Sequence, residues 1–599
     1  MPNSPSTSGS DLTTTMQRAF GNAVGADNHR INSRRLIIVG ALGATALGAV
    51  YLLYRRSQST TTTHSNRDPF AFAEECKSQG IEAFRKRDYQ GALNAFMQAV
   101  DSLTSLSDDD RSKDMLSNCY NNIAACYENL ENYDQCIHYC TEAIALNSKY
   151  WKAINRRARS LQTQGKNRES LQEYIAALEE IKDALTESQV KTIMEERERL
   201  SNIIVMPEVD AILKNTVNSY KPIPQYVIAN WMWYSVTKDP LLIRAGKLNK
   251  DGSYEGLDAA LALMKKGEYD NVLPVVEKLV KDNSQENLEQ AKAILLYARF
   301  LHMHNQTADA REVLKQFNDI WAKLDEDAKT NSRDVKIAYL CLMITIADSI
   351  EDASAYAEES LIIDGHNADP FMALGLRYME HEDDVRSLAA FERVKHIDPS
   401  QPYARFYELY LKFVLECKNG NIAQVHQCMF EFDKAIQSQR TPPVFALLLF
   451  AKVSILIGNS ELALTSVKKA IQIQPDNAYA LSLHAMVNVE PYEAESMQQA
   501  MDKLQRNIQK VIESDKNYWE PYRTMARMHA ERGKDNLAEE NKVMPLFDKA
   551  ISLARRREEF EILLKDRLWT ELELSYRRSK MFKGANPPTV SRQPTALTS

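Results

Sequence analysis

Small and aromatic residues recur along this chain in a frame of 34 residues, and the apolar positions between them follow the three-to-four spacing of amphipathic helices. With Ala73 as the first position of a frame, Gly80 is the eighth, Ala92 the twentieth, Phe96 the twenty-fourth and Ala99 the twenty-seventh. Such a frame predicts two antiparallel helices. Small side chains at positions 8, 20 and 27 let the helices approach closely, and aromatic rings fill the gaps beside them. A second frame starts at Ser117, with Tyr120, Ala124, Tyr127 and Ala143 in register, after an insert that includes Ser105 to Arg111. A third starts at Trp151 and carries Ala158, Tyr174 and Ala177. Three consecutive units of this kind stack into a module. The pattern returns with Ala368 as frame start, through Phe371, Leu374, Gly375, Tyr378, Phe391 and Pro399. It returns again from Val444, through Ala451, Ala463, Ala470 and Pro475, and from Trp519 to Leu553, through Tyr522, Ala526, Ala538 and Ala550. Tyr254 to Lys281 and Leu288 to Phe317 read as degenerate copies. Pro207, Pro222 and Pro224 predict helix ends and a break between two arrays.

One segment departs from this pattern. Leu36 to Tyr54 is uncharged, bracketed by Arg34-Arg35 and Arg55-Arg56, and just long enough to span a bilayer as a helix. The polar lead before it is too long for a cleaved signal peptide, so a retained anchor is expected. Gly40, Ala44 and Gly48 would put small residues on one face of it. The flanking arginines are nearly balanced and do not fix its orientation. The expected organisation is a polar segment 1–35, an anchor 36–54, a Thr-rich tether 55–70, a first repeat domain 71–200, a linker 201–222, a second array 223–583 and a disordered tail 584–599. The fold class is all-α: a tetratricopeptide-repeat helical solenoid in two arrays, with one N-terminal transmembrane helix.

Composition agrees and removes several function classes. Only 19 Gly and 20 Pro in 599 residues argue against a turn-rich all-β fold. A net charge of −7 argues against a nucleic-acid binder, whose phosphate contacts leave a basic excess. The eight cysteines form no C-x-x-C pair and no disulfide-framework spacing, and Cys136/Cys140 have no second pair with which to complete a zinc site. No phosphate-binding, dinucleotide, zinc-hydrolase or nucleophile-elbow motif is present. The sequence therefore predicts no enzyme, no cofactor and no metal. The run Arg555-Arg556-Arg557 reads as a solvated helix end, and Phe406, Tyr407, Tyr410 and Phe413 as solenoid core.

The chemistry that remains is recognition. In a tetratricopeptide solenoid, positions 2, 5, 6 and 9 of the first helix of each repeat face the groove. Lys77 is position 5 of the first frame, Asn122 position 6 of the second, and Lys152 and Arg156 positions 2 and 6 of the third. Three cations and an amide suit a peptide end with a terminal carboxylate and an acidic side chain, through charge-assisted hydrogen bonds of roughly 1.5–3 kcal/mol each.

Lys77, Tyr120-Asn121-Asn122 and Lys152-Ala153-Ile154-Asn155-Arg156-Arg157-Ala158 resemble the dicarboxylate clamp of chaperone-binding tetratricopeptide domains. With the anchor, the tether, Pro222-Ile223-Pro224-Gln225-Tyr226 and the second array, residues 36 to 590 resemble the seventy-kilodalton import receptors of the mitochondrial outer-membrane translocase. The resemblance implies an outer-membrane protein with its N-terminus in the intermembrane space and its bulk in the cytosol. It implies docking of seventy- and ninety-kilodalton heat-shock chaperones by their acidic tails, and receipt of hydrophobic preproteins, especially carrier proteins, for transfer to other translocase subunits. A membrane-anchored co-chaperone or scaffold at another membrane, such as the endoplasmic reticulum, is the alternative. One departure stands out: Ile81 occupies the place where the family's clamp has Asn, and loss of that bond is expected to weaken tail binding by roughly 1–2 kcal/mol.

Overall fold

The computed structural model describes residues 68–104, 110–216, 218–232, 237–249, 252–281, 286–487, 497–533 and 536–584. The expected anchor 36–54, most of the tether and all but Gly584 of the expected tail lie outside these. Among the described residues there is no strand, and no helix is long and apolar enough to cross a membrane. The chain forms two compact units, Met1–Cys119 and Tyr120–Ser599.

In the first unit the helices Pro69–Arg85 and Tyr89–Leu103 pack as an antiparallel pair. Asp68 caps the first, accepting from the Phe70 amide at 3.1 Å, with Pro69 in the first turn, where no amide partner is needed. The two helices meet at Gly80. A Cβ built there would lie 2.6 Å from Cε1 of the fully buried Phe96, so only glycine admits the ring. Ala92 and Ala99 are buried beside it.

In the second unit the same turn chemistry recurs from pair to pair. A residue with positive φ ends the first helix and an Asp or Asn caps the second, as at Glu131-Asn132, Glu382-Asp383, Gly420-Asn421 and Gly458-Asn459. Each cap accepts from the amide three residues on, for example Asp383 from Arg386 at 2.9 Å and Asn459 from Leu462 at 3.0 Å. Neighbouring pairs are joined by contacts one frame apart: Gln162 to Glu196 at 3.2 Å, Arg311 to the Ile346 carbonyl at 3.0 Å, Arg393 to Glu358 at 2.5 Å and Lys418 to Asp384 at 2.5 Å. Gly375 and Phe391 repeat the close approach of the first unit, with a hypothetical Cβ 2.7 Å from the ring. The degenerate copies are helix pairs, Gly256–Lys266 with Val272–Lys281 and Leu288–Met303 with Thr307–Lys323. Three further pairs lacked a legible frame: Arg333–Ile346 with Ile350–Ile363, Ala404–Lys418 with Ile422–Gln437, and Ala478–Val487 with Met497–Ser514.

Pro207 does not end a helix as expected. The helix Glu187–Thr216 runs through it, with Pro207 and Ile203 both on the solvent-exposed face. The Ile203 carbonyl, left without its amide partner four residues on, can meet water there. Residues 218–224 are not helical, and distant partners hold this stretch. The Lys221 amide donates to the His304 carbonyl at 2.8 Å, its ammonium to the Ser552 carbonyl at 2.7 Å, and the Gln225 amide to Asp515 at 2.7 Å. The last helix, Arg557–Gly584, packs on Asn167–Glu180 and Glu187–Thr216. Trp569 is its anchor: the indole N–H donates to Ser201 Oγ at 2.7 Å and Arg197 stands 4.3 Å over the ring.

Candidate functional site

The helix Trp151–Thr163 buries Ala153, Ile154, Ala158 and Leu161. That burial leaves Lys152, Asn155, Arg156 and Arg159 for the other side of the cylinder. Arg156 is already engaged. Its Nε donates to Glu128 Oε2 at 2.9 Å and its Nη1 to the Asn121 carbonyl at 3.2 Å and to Asn121 Oδ1. Arg159 lies 3.4 Å from the other Glu128 oxygen, so two arginines bracket one carboxylate. Asn121 Nδ2 donates in turn to the Tyr150 hydroxyl at 3.3 Å. Arg157, next in sequence, turns the other way, to Glu173 at 2.5 Å and Thr141 at 3.2 Å, and ties three helices together.

Of the four residues singled out from the sequence, the structure links Arg156 to the Asn121-Asn122 stretch. Lys152 lies one helical turn earlier, exposed and without an ion pair among the described residues. Asn122 is half-buried on the helix Asp110–Asn129. Lys77 belongs to the first unit, on the helix Pro69–Arg85, half-buried and close enough to Cys119 that its charge opposes the burial that pushes that thiol up to about 11. Sequence reasoning missed Glu128 and Arg159, and it quoted Asn121 within the Tyr120-Asn121-Asn122 stretch without giving it a role. The signal for Asn121 was available: it precedes Arg156 by 35 residues, the separation that also joins Arg393 to Glu358.

A second feature lies in the downstream array. Two adjoining cavities of about 660 and 480 Å³ share Tyr407, Leu449 and Lys452 in their walls. Phe406, Tyr407 and Phe413 are core, as expected from the sequence, and Tyr407, stacked on Phe391 at 4.8 Å, also lines both cavities. The smaller cavity has apolar walls from Met303, Leu342, Leu376, Met379 and Leu449, and Arg377, Lys452, Arg556 and Glu380 also border it. Glu380 bridges Arg377 at 3.3 Å and Arg556 at 2.9 Å. His302, on the same wall, is pushed down to about 4 by its burial and by Arg555, Arg377, Arg556 and Arg311 around it, and is therefore neutral at pH 7. The Arg555-Arg556-Arg557 run is only in part the expected solvated helix end: Arg556 and Arg557 are exposed, but all three have distant partners. Arg555 donates to the carbonyls of Met303, Lys221 and Pro222, Arg556 reaches the cavity, and Arg557 pairs with Asp210 at 2.9 Å. A charge run hides this because each guanidinium has a partner far off in sequence, 176 residues away for Arg556 and 252 for Arg555.

The tetratricopeptide-repeat family model matches residues 117–150, the second frame. The chain is 23% identical over 547 residues to the human protein named mitochondrial import receptor subunit TOM70, a match covering 86% of this chain and 81% of that one. It is also 23% identical over 482 residues to mitochondrial import receptor subunit tomm-70 of Caenorhabditis elegans, covering 74% of this chain and 79% of the relative. Among solved structures, yeast Tom70 aligns over 86% of this chain and 100% of its own, with 16% identity and a TM-score of 0.46.

Proposed function

We propose that this chain is a mitochondrial import receptor: it docks heat-shock chaperones by their acidic tails and accepts the hydrophobic preproteins they carry, in particular carrier proteins, for transfer to other translocase subunits. The reading is one of binding and not of turnover. The observation that carries it is the similarity to proteins named mitochondrial import receptor subunits across 86% of the chain, which takes in both arrays and not merely the clamp repeats. A co-chaperone at another membrane would share only the clamp. Consistent with that distinction, the match to yeast small glutamine-rich tetratricopeptide repeat-containing protein 2 spans 20% of this chain.

In this reading Leu36–Tyr54 anchors the protein in the mitochondrial outer membrane, with the N-terminus in the intermembrane space and the bulk in the cytosol. Lys77, Asn122, Lys152 and Arg156 receive the chaperone tail, and the downstream cavities receive the client. Arg156 is held in place by Asn121 and Glu128 before any ligand arrives, which cuts the ordering cost of binding. Calorimetry of the full chain in nanodiscs against a peptide ending in Glu-Glu-Val-Asp tests the clamp. Binding that is lost on amidating the peptide's C-terminus and on Arg156→Ala is the expected result. Equal binding of the acid and the amide would remove the chaperone half of the proposal. Imaging a reporter fused to residues 1–66 tests the location, and exclusive reticular staining would overturn it.

A further inference from the structure

The smaller cavity of the downstream array carries an imbalance of charge that its apolar walls do not explain. Three cations, Arg377, Lys452 and Arg556, border it against one carboxylate, Glu380, which already serves both arginines. Arg299 also borders it but is neutralised by Asp239 at 2.5 Å, both side chains being fully buried. Lys452 has no carboxylate partner among the described residues; its ammonium stands 5.0 Å over the Tyr479 ring. It is solvent-exposed and lines both cavities. The Arg377 Nε–H is buried and makes no hydrogen bond, while its Nη2 donates to the Ala347 carbonyl at 3.0 Å. His302 adds no charge at pH 7. In a half-open cavity, where water screens only part of the charge, an excess of cations draws an anion more strongly than isolated surface lysines do, and it repels a cation. A void of about 480 Å³ has room for a few apolar side chains and one carboxylate.

We propose that this cavity selects client segments in which a Glu or Asp is flanked by aliphatic or aromatic residues, its carboxylate set among Arg377, Arg556 and Lys452, and that it turns away basic amphipathic segments. The inference rests on the reading that the downstream array receives preproteins, and it specifies which segments are received. The walls supply the non-directional part of the binding: Met303, Leu342, Leu376, Met379 and Leu449 are removed from water by an apolar guest. The cations supply the discrimination, because a neutral guest leaves their charge uncompensated and a basic guest opposes it.

The test uses the full chain in nanodiscs and three fluorescent peptides of identical apolar sequence, with Glu, Gln or Lys at the central position. Fluorescence anisotropy is expected to rank them Glu, Gln, Lys, with about tenfold between the first two, the effect of one charge-assisted bond. Lys452→Gln, which breaks no ion pair, is expected to shrink the Glu preference to a few-fold while leaving the Gln peptide unchanged. Arg377→Gln should abolish the preference, and a thermal melt checks that this variant is folded, since Arg377 also holds Ala347. Equal affinity for all three peptides, or a preference for Lys, would overturn the inference and leave the receptor reading standing. Failure of all three to bind would overturn both.

Discussion

Glu128 competes with any carboxylate that approaches Arg156. It holds Nε of Arg156 at 2.9 Å and lies 3.4 Å from Arg159, and both Glu128 and Arg156 are about one-fifth exposed, so the pair is only partly screened. Removing the negative charge while keeping the shape frees two guanidinium groups for a ligand. Glu128→Gln is therefore expected to tighten binding of an acidic tail peptide by about fivefold, near 1 kcal/mol, and to cost little stability. Calorimetry reads the first and a thermal melt the second; a weaker complex would show that Glu128 positions Arg156 more than it competes for it. His302 makes the opposite kind of statement, about protons and not ligands. Its folded pKa of about 4 lies below the ordinary 6.5, so between those values the unfolded chain binds a proton that the folded chain does not. Stability is then fully present above about pH 6.5 and falls by up to about 3 kcal/mol as pH drops toward 4. His302→Gln should flatten this part of the pH profile of the unfolding midpoint.

At the scale of the helix, the frames that start at Ala73 and Ala368 are marked by one glycine that faces one ring. In Gly375 two effects oppose each other: alanine is the better helix former by about 1 kcal/mol, but its Cβ would sit 2.7 Å from the tip of the fully buried Phe391 ring, whose face Tyr407 stacks on. The ring has nowhere to go, and overpacking of this kind typically costs 1–3 kcal/mol. Gly375→Ala is expected to lower the unfolding midpoint, and relief by Phe391→Leu in the same chain would confirm the cause. The pairs that the sequence did not disclose lack this signature. The helix Arg333–Ile346 buries six consecutive residues from Ile337 to Leu342, so it is apolar all round and shows no amphipathic period. The turn devices, by contrast, were open to reading from the start: Gly420-Asn421 and Gly458-Asn459 pair the residue that adopts positive φ most readily with a residue that caps the next helix. The groove positions followed from the frame, but the carboxylate of Glu128 did not, because a frame locates positions and does not say which charges meet.

Across the whole molecule, a net charge of −7 coexists with a cavity bordered by four cations and one carboxylate, since composition sums over surfaces that never face the same ligand. Chain order is an equally poor guide to what packs on what. The helix Arg557–Gly584, hundreds of residues from the third frame in sequence, lies against that frame through Arg168–Glu571 at 2.6 Å and Arg577–Glu179 at 3.3 Å, and against the following helix Glu187–Thr216 through Lys565–Glu198 at 2.6 Å and the Trp569 anchor. Its N-terminal flank carries Arg556 to the cavity and Arg555 to the carbonyls around Pro222. The exposed ion pairs contribute little each, near or below 1 kcal/mol, so the helix is held chiefly by apolar burial at Leu564, Leu568 and Leu572 and by the indole. Stability of the third frame is thus borrowed from the end of the chain. Trp569→Ala, which removes a ring, a hydrogen bond and a cation–π contact together, should destabilise this contact by about 3 kcal/mol. Hydrogen exchange is the measurement that localises the effect. Amides of residues 167–216 are expected to exchange faster in the variant while those of 350–470 do not. Unchanged protection in 167–216 would mean that the helices Asn167–Glu180 and Glu187–Thr216 stand without the last helix, and that it rests on them without supporting them.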